Sequence, residues 1–240
     1  MQLKKLAALV GIACACAAGS AQAALTPAQQ SVLDTANTGS RIFFLAGASA
    51  VQGGLTAIET SLFNAGSFRL ANTTASSKDY EAIAGTLAAG TGPWAGQTAI
   101  FIYRVKGGSV YGVNAVARNE DIQTLVVKSA NCGSSGAGTA ASPYVCDVSD
   151  GSVAKPHRSP DVGVSDVAPK FFQPDFNTEG ETPAPALTAS ELANFASIQP
   201  LFTLPFAPAV TNNVSVALNK SAIAAIMTGN VGTWNQVDSS

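Results

Sequence analysis

Along the chain, short apolar runs give way to small-residue turns, and these to stretches whose apolar positions recur at helical spacing. Residues 41–46 (RIFFLA) read as a buried strand ending at Gly47-Ala48-Ser49-Ala50, after which Leu55, Ile58, Leu62 and Phe63 fall on one predicted helical face. The logic repeats at 99–105 (AIFIYRV), a β-branched and aromatic run. It ends in Lys106-Gly107-Gly108-Ser109 and continues into Val110, Val113 and Ala117. A further strand is expected at 122–127, and the alternating valines of 161–168 (DVGVSDVA) predict a short one closed by Pro169. Thr188 and Glu191 have capping-box spacing, which predicts a helix to about Ile198. Residues 201–205 and 214–218 read as extended, and a last helix near 221–228 should stop at Gly229. Pro174, Pro183 and Pro185 mark an irregular loop between Phe172 and Thr188. Strands alternating with helices predict an α/β fold with a mixed, mainly parallel sheet.

Composition narrows the class. Of 240 residues, 47% are hydrophobic and 12% charged, so the chain can bury a sizeable core and is not a disordered polar chain. Thirteen Lys plus Arg against fifteen Asp plus Glu give a net charge of -2, too even to draw nucleic acid or anionic lipid by bulk electrostatics. Any anion must be caught locally.

The first 23 residues read as a secretory signal. Lys4 and Lys5 precede an apolar stretch from Leu6 to Ala18, and Ala21-Gln22-Ala23 supplies a small-x-small cleavage site. The apolar stretch is shorter than the roughly 20 residues that span a bilayer. Cys14 and Cys16 would leave with the signal, and the protein is expected to be periplasmic or secreted. In an oxidising compartment Cys132 and Cys146 pair by default, stapling a loop of Gly, Ser, Ala, Thr and Pro. Closing about 15 residues contributes roughly 3 kcal/mol in the chain-entropy model.

Chemistry is expected at the carboxyl ends of the strands, where helix N-termini point free amides into a crevice. Three turns qualify: residues 47–50, residues 107–109, and Ser165-Asp166. Amides and hydroxyls there suit an oxyanion, although small residues at such turns also simply let a helix pack close to its strand. Asp166 would repel an anion unless it accepts a proton from it, which monohydrogen phosphate offers and sulfate does not; the plainer role is to cap a turn. Little supports an enzyme. His157, the single histidine, lies between Pro156 and Arg158 in a polar loop and reads as solvated, and no metal-ligand cluster or cofactor motif is present. Arg104 and Lys106 read as surface charges, and Trp94 and Trp234 as packing residues.

The ordered series IFFLAGASAVQGG, YRVKGGSVYGV, DVGVSDVAP and LPFAPAVTNNVSVALNKSAIAAIMTGNVGTWNQV resembles the periplasmic phosphate-binding proteins of the type II solute-binding fold. The resemblance implies a phosphate or similar oxyanion held by Ser49, the amide of Ala50, Ser109 and Asp166, the last as proton acceptor. It also implies a monomer serving an ABC-type membrane transporter, without catalysis. On this reading residues 1–23 are the signal, 24–205 a first lobe with the 132–146 loop, and 206–240 hinge strands opening an incomplete second lobe. The family's Arg-x-Asp-x-Ser-Gly-Thr segment, which closes the site from the second lobe, has no counterpart in these 240 residues. A half-site of this kind should bind weakly, at roughly 1.5 to 3 kcal/mol per missing charged hydrogen bond. The alternative is an exported structural protein that keeps the lobe and has no ligand; Ala50, where the family has an aromatic, favours it.

Overall fold

The computed structural model describes residues 24–76, 78–173, 186–193, 221 and 225. Two units divide at Ala196/Ser197. Of the second, Ser221 and Ala225 are described, both helical. The expected extended stretches at 201–205 and 214–218, the rest of the last helix, and the hinge and second-lobe opening lie outside the described residues, as do the signal segment and most of the proline-rich loop.

In the first unit, α1 (Pro27–Thr38) opens with a capping box: the Thr26 hydroxyl accepts from the Gln29 amide and the Gln29 side chain accepts from the Thr26 amide, with Pro27 in the first turn. The strand β1 (Ile42–Gly47) follows, then a 3-10 turn at Ser49–Val51 and α2 (Gln52–Ser61). Next come β2 (Phe68–Ala71), β3 (Tyr80–Thr86), β4 (Thr98–Arg104) and α3 (Gly108–Arg118). Two short strands, β5 (Tyr144–Val145) and β6 (Val162–Val164), and one helical turn, α4 (Ala189–Leu192), complete it. The sheet order is β5-β2-β3-β4-β1-β6. β1 pairs in parallel with β4 and β6, and β2 with β5, while β2-β3 and β3-β4 are antiparallel. The fold is thus α/β with a mixed sheet in which three of five pairings are parallel.

Strand alternation builds two cores. Phe44 and Ala46 of β1, Ile100 and Ile102 of β4, and Tyr80, Ala82 and Ala84 of β3 pack with Leu33 and Ala36 of α1 and Ala115 of α3. Their neighbours face the other way: Leu45 and Tyr103 meet Val51 and Leu55, and Phe43, Ile83 and Phe101 meet Phe63. Phe43 and Phe101 stack at 4.8 Å, and Trp94 stands edge-on to Phe43 at 6.0 Å. Trp94 therefore packs on one edge, while remaining 43% exposed.

Three expectations are corrected. Ile58 is 47% exposed and Glu59 is buried, because the inward face of α2 runs through Leu55 and Glu59, one helical repeat apart, while Phe63 lies beyond the helix end. Residues 122–127 form no sheet strand; they make isolated bridges, Ile122 to Arg158 and Leu125 to Val148, over the α1 face of the sheet. Arg104 is not a solvated charge but 5% exposed. Its guanidinium donates to the carbonyls of Gln123 (2.8 Å) and Lys106 (3.0 Å) and lies over the rings of Tyr80 and Tyr111. The Cys132–Cys146 disulfide is formed, across an antiparallel bridge.

Candidate functional site

The parallel ladder decides what meets at the carboxyl edge. Ala46 stands beside Arg104 and Gly47 beside Val164, so β1, β4 and β6 end at neighbouring positions and the chain after each enters the same margin of the sheet. The approach is close because it is made by backbone. Gly47 has φ +144°, and a Cβ there would sit 1.8 Å from the Val164 carbonyl oxygen; a Cβ on Gly112 of α3 would sit 2.1 Å from the Ala46 carbonyl oxygen. The helix α3 consequently lies directly against β1, with a left-handed Gly107 as its N-cap and no side chain capping the first turn.

Two of the four predicted residues are brought into contact. Ser109, in the first turn of α3, donates its hydroxyl to Asp166 Oδ1 at 2.5 Å, and the Asp166 amide points back at Ser109 Oγ at 3.4 Å. The carboxylate thus rests at the positive end of an 11-residue helix. Ser49 and Ala50 occupy the 3-10 turn after β1 and are both exposed; Ser49 makes no side-chain hydrogen bond among the described residues. Ser165 is turned into its own loop, donating to the Val167 carbonyl at 2.6 Å and accepting from the Val167 amide at 3.2 Å. Arg104, at the end of β4, is committed beneath the sheet edge to Gln123, Lys106 and the two tyrosines.

Two residues that the sequence reading did not single out support this margin. The Tyr103 hydroxyl donates to the Ala48 carbonyl and pins the first turn, whose Ala48 amide in turn donates to Val164 at 3.0 Å. Burial, then Glu59 and Asp166, push the phenol above its ordinary pKa, so it stays a donor. Alternation in AIFIYRV puts Tyr103 opposite Ile102 and was the available signal. Glu59 is 5% exposed, and its Oε1 has no hydrogen-bond partner. Burial pushes its carboxyl up to about 7, Arg69 pulling it down and Glu81 adding to the rise. Nothing in the periodicity marked it, since an acidic residue is normally placed on the wet face.

Chemically, the margin offers a free serine hydroxyl, backbone amides, a helix N-terminus and one carboxylate already holding a hydroxyl proton. No group of three or more His, Cys, Asp or Glu side chains is arranged to hold a metal ion among the described residues. His157 is half-buried rather than solvated. It hydrogen-bonds Ser149 Oγ at 2.9 Å and lies in a different stretch of the chain from the three turns, joined to them by no hydrogen bond. Comparison with protein-family models, with curated proteins and with solved structures finds no match for this chain.

Proposed function

We propose that the chain is an exported binding protein for phosphate or a closely similar oxyanion, without catalytic activity, acting in the periplasm or outside the cell and delivering its ligand to an ABC-type membrane transporter. The observation that supports it best is the Ser109–Asp166 pair at the N-terminus of α3, beside the exposed turn of Ser49 and Ala50. A protonated oxyanion entering there donates a hydrogen bond to Asp166 in place of the Ser109 hydroxyl, which turns to donate to the oxyanion together with Ser49 and the amide of Ala50. Fully ionised sulfate has no proton to give and meets the carboxylate as a like charge. Equilibrium dialysis of radiolabelled phosphate against the oxidised full-length protein tests this. Saturable but weak binding is expected, at a Kd of roughly 0.1 to 1 mM, with sulfate a poor competitor, and Asp166→Asn should narrow that preference about tenfold.

A second reading rests on a specific observation as well. Ser109 already spends its proton on Asp166, and Ser165 is satisfied within its own loop, so the turns are complete as a structural junction. On that reading the protein is a secreted or surface structural component that binds no ligand. Dialysis that finds no saturable phosphate binding selects it.

A further inference from the structure

The helix α2 is weakly built. Its first turn holds Gly53 and Gly54, the residues least suited to a helix after proline, and Val51 at its N-cap offers no side-chain acceptor to the free amides. Little in its own sequence holds it together. It lies on the sheet through a narrow inward stripe, in which Val51 and Leu55 pack with Leu45 and Tyr103 and the next buried residue is Glu59.

That seat has no partner for a negative charge. Glu59 is 5% exposed, and its Oε1 accepts no hydrogen bond. Beneath the helix, Glu81 of β3 stands opposite Tyr103 of β4 on one face of the sheet. Both are already engaged. Gln52 of α2 donates to Glu81 at 2.9 Å and Lys78 lies 3.6 Å from it, while the Tyr103 hydroxyl donates to the Ala48 carbonyl. Arg69 of β2 is the cation that acts on Glu59, yet it donates to the Thr56 carbonyl and the Thr60 hydroxyl of α2 and forms no ion pair with the acid. From β1 this side of the sheet receives Phe43 and Leu45, neither of them titratable. The seated helix therefore suits a protonated Glu59: burial holds the carboxyl up, to about 7, against the pull of Arg69 and with a further push from Glu81.

Losing the proton leaves a charge in a largely apolar seat, above a second carboxylate. Either the sheet rearranges or the helix lifts. β3 and β4 are each laddered on both sides, so the helix is the element that yields. We propose that Glu59 is a proton-operated latch: with its carboxyl protonated α2 lies seated on the sheet, and with it ionised α2 lifts alone, carrying the turn of Ser49 and Ala50 while the strands stay folded. The latch needs no ligand and stands whether or not phosphate binds at the turns. Because lifting returns Glu59 to water and its ordinary value of 4.5, opening is rarest below about pH 4.5, grows up to about pH 7 and is level above it.

Hydrogen exchange of the oxidised full-length protein, followed by NMR and corrected for the intrinsic effect of pH, tests this. Protection of the amides of 56–61 should fall at least about tenfold between about pH 5 and about pH 8, and no more than about twofold in Glu59→Gln. At about pH 8 these amides should exchange faster than those of β1 and β4, at rates that urea up to about 1 M leaves unchanged, as a local opening requires. In the unmutated protein the Glu59 carboxyl carbon resonance should titrate with a midpoint near 7, which decides the matter even if the variant folds poorly. A midpoint near 4.5, pH-independent protection in α2, the same pH dependence in Glu59→Gln, or α2 amides that exchange only in step with β1 and β4 as urea rises would each overturn the proposal.

Discussion

The carboxyl edge of β1, β4 and β6 and the stretch from residue 122 to 160 are held together by opposite means. At the edge, backbone lies on backbone: Gly112 against the Ala46 carbonyl and Gly47 against Val164, with Tyr103 tying down the turn between them. The 122–160 stretch has almost no regular structure. It relies on isolated bridges, the Cys132–Cys146 link and buried polar contacts such as Thr124 to Ser149. The first arrangement has no room to adjust, whereas the second is stitched at separate points and can lose one of them. Rigidity without side-chain bulk is what a set of converging turns requires, and cross-linking is what a long stretch requires when its one strand, β5, is two residues long.

The largest effect should come from putting bulk into the edge. Gly112→Val drives a Cβ into the Ala46 carbonyl and should cost about 4 kcal/mol or more, enough to deplete soluble folded protein. Gly151→Ala, in the stitched stretch, should cost only about 1 kcal/mol, since φ is +83° but its nearest neighbour is the His157 ring at 3.4 Å. Urea melts of the two variants measure the contrast, and equal losses would break it. Second in size is the staple. Cys132→Ser with Cys146→Ser should lower stability by about 3 kcal/mol, with hydrogen exchange accelerated in 122–148 and little changed in β1, β4 and α3.

The third effect depends on pH. Glu59 has its folded-state pKa raised from 4.5 to about 7, so the folded protein holds this proton more tightly than the unfolded chain does. No penalty exists below about pH 4.5, where both states are protonated; it grows as pH rises and is complete above about 7, at up to about 3 kcal/mol. Glu59→Gln should therefore stabilise the protein at pH 8 and leave it unchanged at pH 4, as read by thermal melts across that range. A loss of stability at pH 8 would show that Glu59 is ionised and paired, and a gain of the same size at both pH values would show that its charge is not the cause.

Much of the fold was legible because it rests on local signals. The runs at 41–46 and 99–105, each ending in a glycine or small-residue turn, became β1 and β4, and the capping box at Thr188 opened α4, held by the Glu191–Arg118 ion pair at 2.6 Å. α1 and the β2-β3 hairpin were not anticipated. The polar composition of α1 leaves only Leu33 and Ala36 fully inside, too weak an apolar stripe to see, although Thr26-Pro27 and Gln29 did spell a helix start. Residues 122–127 failed for the converse reason: β-branched content reports burial, and burial here comes from covering the sheet rather than joining it. At the candidate site, turn chemistry singled out Ser109 and Asp166, which the fold brings into hydrogen-bond contact. Pairwise facts such as the Tyr103–Ala48 bond and the burial of Glu59 and Arg104 depend on which helix covers which face, which no spacing encodes.

The two outer strands carry one further consequence. Among the described residues the sheet terminates in β5, two residues long, and β6, three residues long. An incoming strand from another molecule would find too little ladder on either margin to register against, so concentrated solutions should resist edge-to-edge aggregation even though Val162 is turned to water.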